Sequence, residues 1–121
     1  MKILICGSRT WSDWWLILQE LKKFPLGATI IHGAAKGADQ IAGEIAMGLG
    51  FNEVVAVPAN WDKHHRAAGP IRNQAMLDMK PDLVLAFHDD PNLGKGTADM
   101  VSRARRAGVE VRVFIKKEKD A

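Results

Sequence analysis

Four short clusters contain glycine, basic, hydroxyl or aromatic residues of the kinds that could hold a ligand. The first, Gly7–Thr10 (GSRT), follows the apolar run KILIC. Glycine lets a ligand approach the backbone closely, and the guanidinium of Arg9 is a planar fork of donors that matches phosphate. The same residues also suit a plain turn in which Thr10 or Ser12 caps the next helix. This cluster alone therefore leaves both interpretations open.

The second cluster, His32–Asp39 (HGAAKGAD), is a loop of small residues that opens onto a helix. Its backbone N–H groups could form a nest for an anion, although it has neither the Gly-Lys-Ser/Thr ending of a P-loop nor the G-x-G-x-x-G pattern. Asp39 also suits a helix start through its charge alone, and His32 could simply bond to the backbone. Ligand binding is favoured because two such loops lie side by side in a doubly wound sheet.

Two further clusters lie in the second half of the chain. Trp61, in the long connection Pro58–Gly69, could stack on a base or anchor a lid without touching a ligand. Arg72 is predicted in the first turn of a helix, where the helix dipole disfavours a cation and therefore suggests an anionic partner. Gly94–Thr97 (GKGT) offers backbone donors and a hydroxyl to a phosphate in front of another helix.

Other polar residues point less clearly to chemistry. Asp89 and Asp90 could hold a ribose hydroxyl or Mg²⁺, but turn formation explains them better. His64 and His65 are adjacent and point in different directions, and no spacing of His, Asp or Glu makes a metal site. Cys6 is the only cysteine, which excludes an intrachain disulfide. No Ser/His/Asp order suggests a nucleophilic triad either. The sequence predicts no cofactor and no metal.

Alternating apolar and amphipathic segments must position these clusters. Strands are predicted at Lys2–Cys6, Ala28–His32, Glu53–Val57, Asp82–Phe87 and Glu110–Ile115, and helices at Asp13–Phe24, Ala38–Leu49, Pro70–Met79 and Thr97–Ala107. Strands that are apolar at nearly every residue are buried on both faces, which predicts an α/β fold: a doubly wound, Rossmann-like sandwich with a mainly parallel sheet and helices on both faces. The clusters then follow the carboxyl ends of strands, where such sheets bind ligands.

The composition supports one globular domain over residues 1–121, with a short charged tail from about residue 116. The chain has 47% hydrophobic and 26% charged residues and a net charge of +3, so we expect a core and a soluble protein. No apolar run approaches the roughly 20 residues of a membrane span, and the single cysteine favours a cytoplasmic setting. The mild charge suits a small anionic ligand and does not by itself indicate nucleic acid. Trp15 and Leu16 extend the apolar face of the first helix, which predicts a homo-oligomer.

Taken together, the segments GSRTWSD, HGAAKGAD, PANW with AGPIRNQAM, and GKGTADM resemble the YspA-like branch of the SLOG superfamily. This superfamily includes the Lonely Guy cytokinin-activating enzymes and the DNA-processing DprA proteins. The resemblance extends from Gly7 to about Gly108 and implies homo-oligomers and a nucleotide-type ligand held by the glycine-rich loops. The ligand-binding residues expected from the clusters and the resemblance are Gly7, Ser8, Arg9, His32, Gly33, Lys36, Gly37, Asp39, Trp61, Arg72, Asn73, His88, Gly94, Gly96 and Thr97.

Catalysis is where the sequence departs from the enzymes that it resembles. Lonely Guy enzymes remove the base from a nucleoside monophosphate, and their motifs are similar to R-K-x-x-M and P-G-G-x-G-T-x-x-E. Here Asn73 replaces the Lys, and the position of the Glu is Met100, which cannot act as an acid or a base. Asp99 is about 100° around the helix from that position. If the chain is an enzyme, the candidate catalytic residues are Arg72, Asp39 and Asp99.

Three functions follow, in order of preference. The first is a domain that binds a nucleotide or a nucleotide derivative and senses or sequesters it. The second is a nucleoside 5′-monophosphate N-glycosidase of the Lonely Guy type. The third is a DprA-like binder of single-stranded DNA, which is disfavoured because such binders interleave basic and aromatic residues, whereas the tryptophans here cluster early in the chain and the arginines late.

Overall fold

Residues 1–116, the part of the chain that the computed structural model describes, form five strands and five α-helices. The strands are β1 (Lys2–Gly7), β2 (Thr29–His32), β3 (Glu53–Ala56), β4 (Leu83–His88) and β5 (Glu110–Ile115). The helices are α1 (Trp14–Leu21), α2 (Ala38–Leu49), α3 (Trp61–His64), α4 (Ala68–Asp78) and α5 (Gly94–Arg106), with a 3₁₀ turn at His65–Ala67 between α3 and α4. Apart from its first residue, the predicted charged tail lies outside the described residues.

All five strands are parallel and lie in the order β3-β2-β1-β4-β5. In β1, Ile3, Leu4 and Ile5 have no exposed surface, which requires helices on both faces of the sheet. The predicted doubly wound, Rossmann-like fold is therefore confirmed. The chain winds outward from β1 to β3 and then crosses back to β4, so a crevice forms at the carboxyl ends of β1 and β4, where the winding reverses.

Each face of the sheet has its own apolar core. Ile3 of β1 belongs to the core that contains Ile17 of α1, whereas the next residue, Leu4, belongs to the core that contains Met76 of α4 and Met100 of α5. Successive side chains of a strand point to opposite faces, so α1 and α2 cover one face while α4 and α5 cover the other. Among residues 1–116, no helix is both long and apolar enough to cross a membrane.

Helix α5 begins earlier than its glycine-containing sequence predicts. It starts at Gly94 rather than Thr97. The chain turns at this start, where Leu93 and Gly94 have φ angles of 66° and 61°. Glycine is a poor helix former, so the helical pattern becomes visible only at Thr97. The GKGT segment is therefore the first turn of α5 and not a loop in front of it.

Helix α4 also begins before its predicted start. Its first residue is Ala68, and Pro70 is the third residue, where the missing N–H has no intrahelical acceptor to lose. Arg72 consequently lies in the second turn rather than the first. The helix dipole is thus no argument for an anionic partner of Arg72.

The tryptophans around α1 are arranged differently from the prediction. Trp11, which precedes α1, is only 2% exposed and packs against Phe87 with 5.6 Å between the ring centroids. Trp14, the first residue of α1, is 56% exposed, because Trp11 fills the core there. Leu16, predicted to extend the outer face, packs against the core instead. Trp14 and Trp15 are therefore the exposed apolar pair of α1.

Self-association through this pair stays a prediction. Trp14 and Trp15 lie edge to face, with 5.7 Å between their ring centroids. If they form an interface between two copies of the chain, replacing both by alanine will reduce the mass measured by light scattering to that of a monomer. Met47→Ala, an exposed apolar side chain on α2, is the control and should leave the mass unchanged. A monomeric mass for the unmodified protein at high concentration would contradict the prediction.

Candidate functional site

A cavity of about 940 Å³ lies at the carboxyl ends of β1 and β4, where the doubly wound fold predicts a ligand site. The four sequence clusters all contribute to its walls. The predicted residues that line it are Gly7, Arg9, Asp39, Trp61, Arg72, Asn73, His88, Gly94, Gly96, Thr97 and Asp99. Five predicted ligand-binding residues do not line it: Ser8, His32, Gly33, Lys36 and Gly37. The volume is large enough for a nucleotide-sized molecule.

Arg72 is a half-buried cation held by neutral groups. Its Nη1 donates a hydrogen bond to the Gly33 carbonyl oxygen at 2.5 Å, and its Nε donates to Asn73 Oδ1 at 3.0 Å. Within residues 1–116, no carboxylate oxygen lies within 4.0 Å of the guanidinium. Hydrogen bonds to one backbone oxygen and one side-chain amide oxygen therefore orient the group, while no described carboxylate forms a direct ion pair with it.

Asp39 lies on the same side of the cavity and is only 4% exposed. Its Oδ2 accepts a hydrogen bond from the Gly33 N–H at 2.9 Å. Burial raises the pKa of this carboxyl to about 6, even though the Arg72 guanidinium and the N–H groups of Ala35 and Gly33 act in the opposite direction. A Cβ atom added at Gly33 would overlap Arg72 Nη1 and lie 2.7 Å from Asp39 Oδ2, so a larger residue at this position would displace both side chains from this arrangement.

The raised pKa of Asp39 predicts a specific pH dependence of stability. The native state binds the proton of the Asp39 carboxyl more tightly than the unfolded chain does. The contribution of Asp39 to the free energy of unfolding is therefore fully present below about pH 4 and is lost as the pH rises through about 6. At about 1.4 kcal/mol per pKa unit, the loss amounts to about 3 kcal/mol at most. Asp39→Asn does not titrate and keeps an oxygen for the Gly33 N–H.

Urea denaturation of both proteins across this pH range measures the effect. The free energy of unfolding of the unmodified protein should fall relative to that of Asp39→Asn as the pH rises from about 4 to above 6. The same substitution at the exposed Asp62 is the control. A difference between the unmodified protein and Asp39→Asn that does not change with pH would contradict the assignment.

Asn73 connects α4 to the first turn of α5. This side chain is 4% exposed, and its Nδ2 donates to the Gly96 carbonyl oxygen at 3.2 Å and to Asp99 Oδ2 at 3.0 Å. Asp99 Oδ2 also accepts from Arg103 Nε at 2.9 Å. Burial raises the pKa of Asp99, but the hydrogen bonds from Asn73 and Arg103 outweigh it and hold the pKa below its ordinary value. Asp99 is thus an ionised carboxylate whose Oδ2 is engaged by the protein.

The first turn of α5 presents backbone donors to the cavity. Leu93 occupies the N-cap position, and no side chain caps the helix. Gly94, Lys95, Gly96 and Thr97 all line the cavity. The first N–H groups of a helix have no intrahelical acceptor and carry the positive end of its dipole, so this turn suits an anion.

The loop after β1 closes one side of the site through Asp89. Ser8 Oγ and Thr10 Oγ1 donate to Asp89 Oδ2 at 2.9 and 2.5 Å. The Thr10 hydroxyl is the main cause that lowers the pKa of Asp89. Ser8 therefore ties two loops together at the edge of the cavity. Arg9 points the other way and lies 5.8 Å from the ring centroid of Trp61.

Three N–H groups in and beside the loop after β2 already donate hydrogen bonds within the protein. Those of Gly33, Ala34 and Ala38 donate to Asp39, to His32 Nδ1 and to the Ser8 carbonyl oxygen, respectively. His32 is buried, and its burial lowers its pKa, which suits a neutral ring that accepts this hydrogen bond. The loop reaches the cavity through Ala35 and the Asp39 side chain rather than as an open anion nest.

Several lining residues were not predicted from the sequence. Arg66 comes from the 3₁₀ turn before α4, and Lys95 from the first turn of α5. The signal for Lys95 was its place inside the GKGT segment, whereas Arg66 had none beyond its place in the long connection. Cys6 also lines the cavity, but burial raises the pKa of its thiol so far that it stays protonated.

Met100 does not stand in for a catalytic acid. Its side chain is completely buried in the core between the sheet, α4 and α5, and it does not line the cavity. A glutamate at this position would bury a carboxylate among apolar side chains instead of presenting it to a ligand. Asp99, the neighbouring residue, is the carboxylate of α5 that reaches the cavity. Within residues 1–116, no group of three His, Cys, Asp or Glu residues could hold a metal ion.

Comparison with known proteins assigns this chain to a family. The model of the YspA, cpYpsA-related SLOG family matches residues 1–64, and the chain belongs to this family. The family resemblance of the sequence motifs is therefore confirmed, and membership points to a nucleotide-related function. A relative, the Gene 61 protein of Mycobacterium phage D29, is 38% identical over 120 residues, which cover 91% of this chain and 93% of that protein. The likeness thus extends past residue 64 over the segments that contain Arg72 and Gly94.

Proposed function

We propose that this protein binds a nucleotide or a nucleotide-derived ligand through a phosphate group and acts as a sensor or sequestering domain. The observation that carries this proposal is the half-buried Arg72 guanidinium, which bonds to two neutral oxygens and has no carboxylate within 4.0 Å among residues 1–116. A half-buried cation that makes no direct ion pair is incompletely compensated. A phosphate in the cavity would supply that partner through charge-assisted hydrogen bonds.

The first turn of α5 completes a phosphate site beside Arg72. Asn73 bonds to both Arg72 and the Gly96 carbonyl oxygen, so the guanidinium and the uncapped helix end lie close together. A phosphate oxygen there would meet backbone N–H groups at the positive end of the helix dipole. Lys95 adds a further positive charge at the cavity wall.

The remainder of the ligand would extend toward the connection between β3 and α4. Trp61 lines the cavity and is 48% exposed, which leaves indole surface for a base to stack on. Arg9 and Arg66 also line the cavity and attract an anionic ligand. A base and a phosphate therefore each have a chemically matched wall.

Hydrolysis of a nucleoside monophosphate is the second candidate, and one observation favours it. Asp39 lines the cavity with a pKa raised to about 6, which suits proton exchange near neutral pH. However, its Oδ2 is engaged by Gly33, Asp99 is held by Asn73 and Arg103, and the expected acid position is in the core. We therefore expect binding with slow base release or none.

Binding of single-stranded DNA is the weakest candidate. It requires several aromatic side chains spaced along a basic groove. Trp61 is the one tryptophan, phenylalanine or tyrosine among the cavity-lining residues of the described chain. A single stacking surface suits one base better than a strand.

A ligand screen with product detection tests the proposal. Thermal unfolding is followed with inorganic phosphate, nucleosides, and nucleoside 5′-monophosphates and diphosphates, and each mixture is then analysed for free base by chromatography. A ligand at a hundredfold excess over its Kd should stabilise the protein by about 2.7 kcal/mol. Rapid base release that is abolished by Asp39→Asn or Asp99→Asn would replace binding by catalysis. Stabilisation by no phosphate compound would refute the proposal.

A further inference from the structure

The Asn73 side chain uses its full set of hydrogen-bonding groups on groups of the protein. Its oxygen accepts from Arg72 Nε, and its two N–H donors go to the Gly96 carbonyl oxygen and to Asp99 Oδ2. Only 4% of the residue is exposed. Although Asn73 lines the cavity, these donors and this acceptor are therefore already engaged, so a direct role in holding a ligand is not its main use.

An amide is the one side chain that satisfies these three partners together. Gly96 and Asp99 both present acceptors and require donors, whereas Arg72 Nε requires an acceptor. An ionised aspartate has no donor, and a lysine, which occupies this position in the motif of the Lonely Guy enzymes, has no acceptor. The asparagine also separates two opposite charges: it binds the Asp99 carboxylate and the Arg72 guanidinium through the two ends of one neutral group.

We infer that Asn73 is a positioning residue that keeps Arg72 available to an anionic ligand. It holds the guanidinium with a neutral oxygen and satisfies the nearby carboxylate of Asp99, so that neither of these contacts neutralises Arg72 within the protein. The inference rests on the proposed phosphate site. It adds that the charge state of position 73, and not merely its polarity, sets the affinity for anions.

Asn73→Asp tests this directly because it changes charge with almost no change of shape. The introduced carboxylate gives Arg72 an ion-pair partner that competes with phosphate. With AMP as the probe, Kd should rise about 30-fold, as expected for the loss of one hydrogen bond to a charged group. Gln74→Glu is the matched control: the same amide-to-acid change on the next residue, which bonds to Asp78 and Arg103 rather than to Arg72. It should change Kd less than about threefold, within the range of an exposed charge.

A double substitution separates charge from network integrity. In Asn73→Asp with Asp99→Asn, the amide and the carboxylate exchange places, so the net charge is that of the unmodified protein and an amide still faces a carboxylate. The pair also avoids two adjacent carboxylates, which protects folding. The inference predicts that this variant binds AMP as weakly as Asn73→Asp, because the carboxylate still faces Arg72. Recovery of the unmodified affinity would overturn it.

A spectroscopic signal reports the positioning without any ligand. The Nε–H of Arg72 is engaged by Asn73 and should give a resolved, slowly exchanging NMR resonance, which Arg72→Lys identifies by its disappearance. Asn73→Ala should return it to rapid exchange with water. An Nε–H signal that is unaffected by Asn73→Ala would refute the positioning role. If the signal behaves as expected but no phosphate compound binds, the positioning stands and the proposed function fails.

Discussion

Replacing Arg72 by alanine should weaken the binding of a nucleoside monophosphate by about 30-fold or more. Truncating a half-buried, hydrogen-bonded charge that faces an anion costs about 2–5 kcal/mol, and each 1.4 kcal/mol is a factor of ten in Kd. The guanidinium is fixed by Gly33 and Asn73, so little of its binding energy is lost in ordering the side chain. Arg72→Lys should recover only part of the affinity, because an ammonium cannot reproduce the planar fork.

The control for this variant removes the same charge elsewhere. Arg105 is an exposed residue near the end of α5, and it does not line the cavity. Isothermal titration calorimetry of Arg105→Ala should give a Kd within a few-fold of the unmodified protein, the change expected from long-range charge alone. Equal losses in the two variants would mean that only net charge matters and would contradict a phosphate site at Arg72.

Gly7→Ala should lower the free energy of unfolding by about 3 kcal/mol or more. A Cβ atom at this position would overlap the Phe87 carbonyl oxygen and lie 2.6 Å from Ala38 Cβ. The first of these is backbone of β4 that already accepts the Ser8 N–H at 2.9 Å, so it cannot move without disturbing the centre of the sheet. The added methyl group would therefore strain the contact between β1 and β4, where the winding of the sheet reverses.

Gly48→Ala provides the opposite result from the same chemical change. Gly48 lies inside α2, and an added Cβ would meet no atom within 4 Å. Alanine there should raise stability by about 0.5–1 kcal/mol because it reduces the backbone entropy of the unfolded chain. Both variants are compared with the unmodified protein by urea denaturation. A Gly7→Ala protein as stable as the unmodified chain would show that β1 and β4 are not in the close contact described here.

The fold could be predicted from the sequence because its signals are local. The ends of α2 and β5 agree with the prediction to the residue, since Gly37 and Gly50 flank α2 and β5 is rich in the β-branched and aromatic residues that favour strands. The start of α5 at Gly94 could not be predicted, because glycines conceal the first helical turn. The exposure of Trp14 could not be predicted either, because it depends on Trp11 filling the core from outside the helix.

The site could be predicted in its residue types but not in its connections. The sequence predicts that Arg72, Asn73 and Asp39 lie near one crevice. In the structure the backbone of Gly33 joins Arg72 to Asp39, and its hydrogen bond with Arg72 connects residues 39 positions apart in the chain. The use of the Ala38 N–H by the Ser8 carbonyl oxygen is likewise a contact between two loops. Local patterns give no signal for such contacts, so the loop after β2 looked like an open anion nest.

Calorimetric titration of the unmodified protein with each nucleoside 5′-monophosphate and with its matching nucleoside tests the central claim most directly. The two compounds share the base and sugar and differ only in the phosphate that Arg72 and the first turn of α5 are proposed to hold. The account predicts that at least one monophosphate binds and that its nucleoside binds about 100-fold more weakly or not measurably. A nucleoside that binds as tightly as its monophosphate, or a complete series without binding, would contradict it.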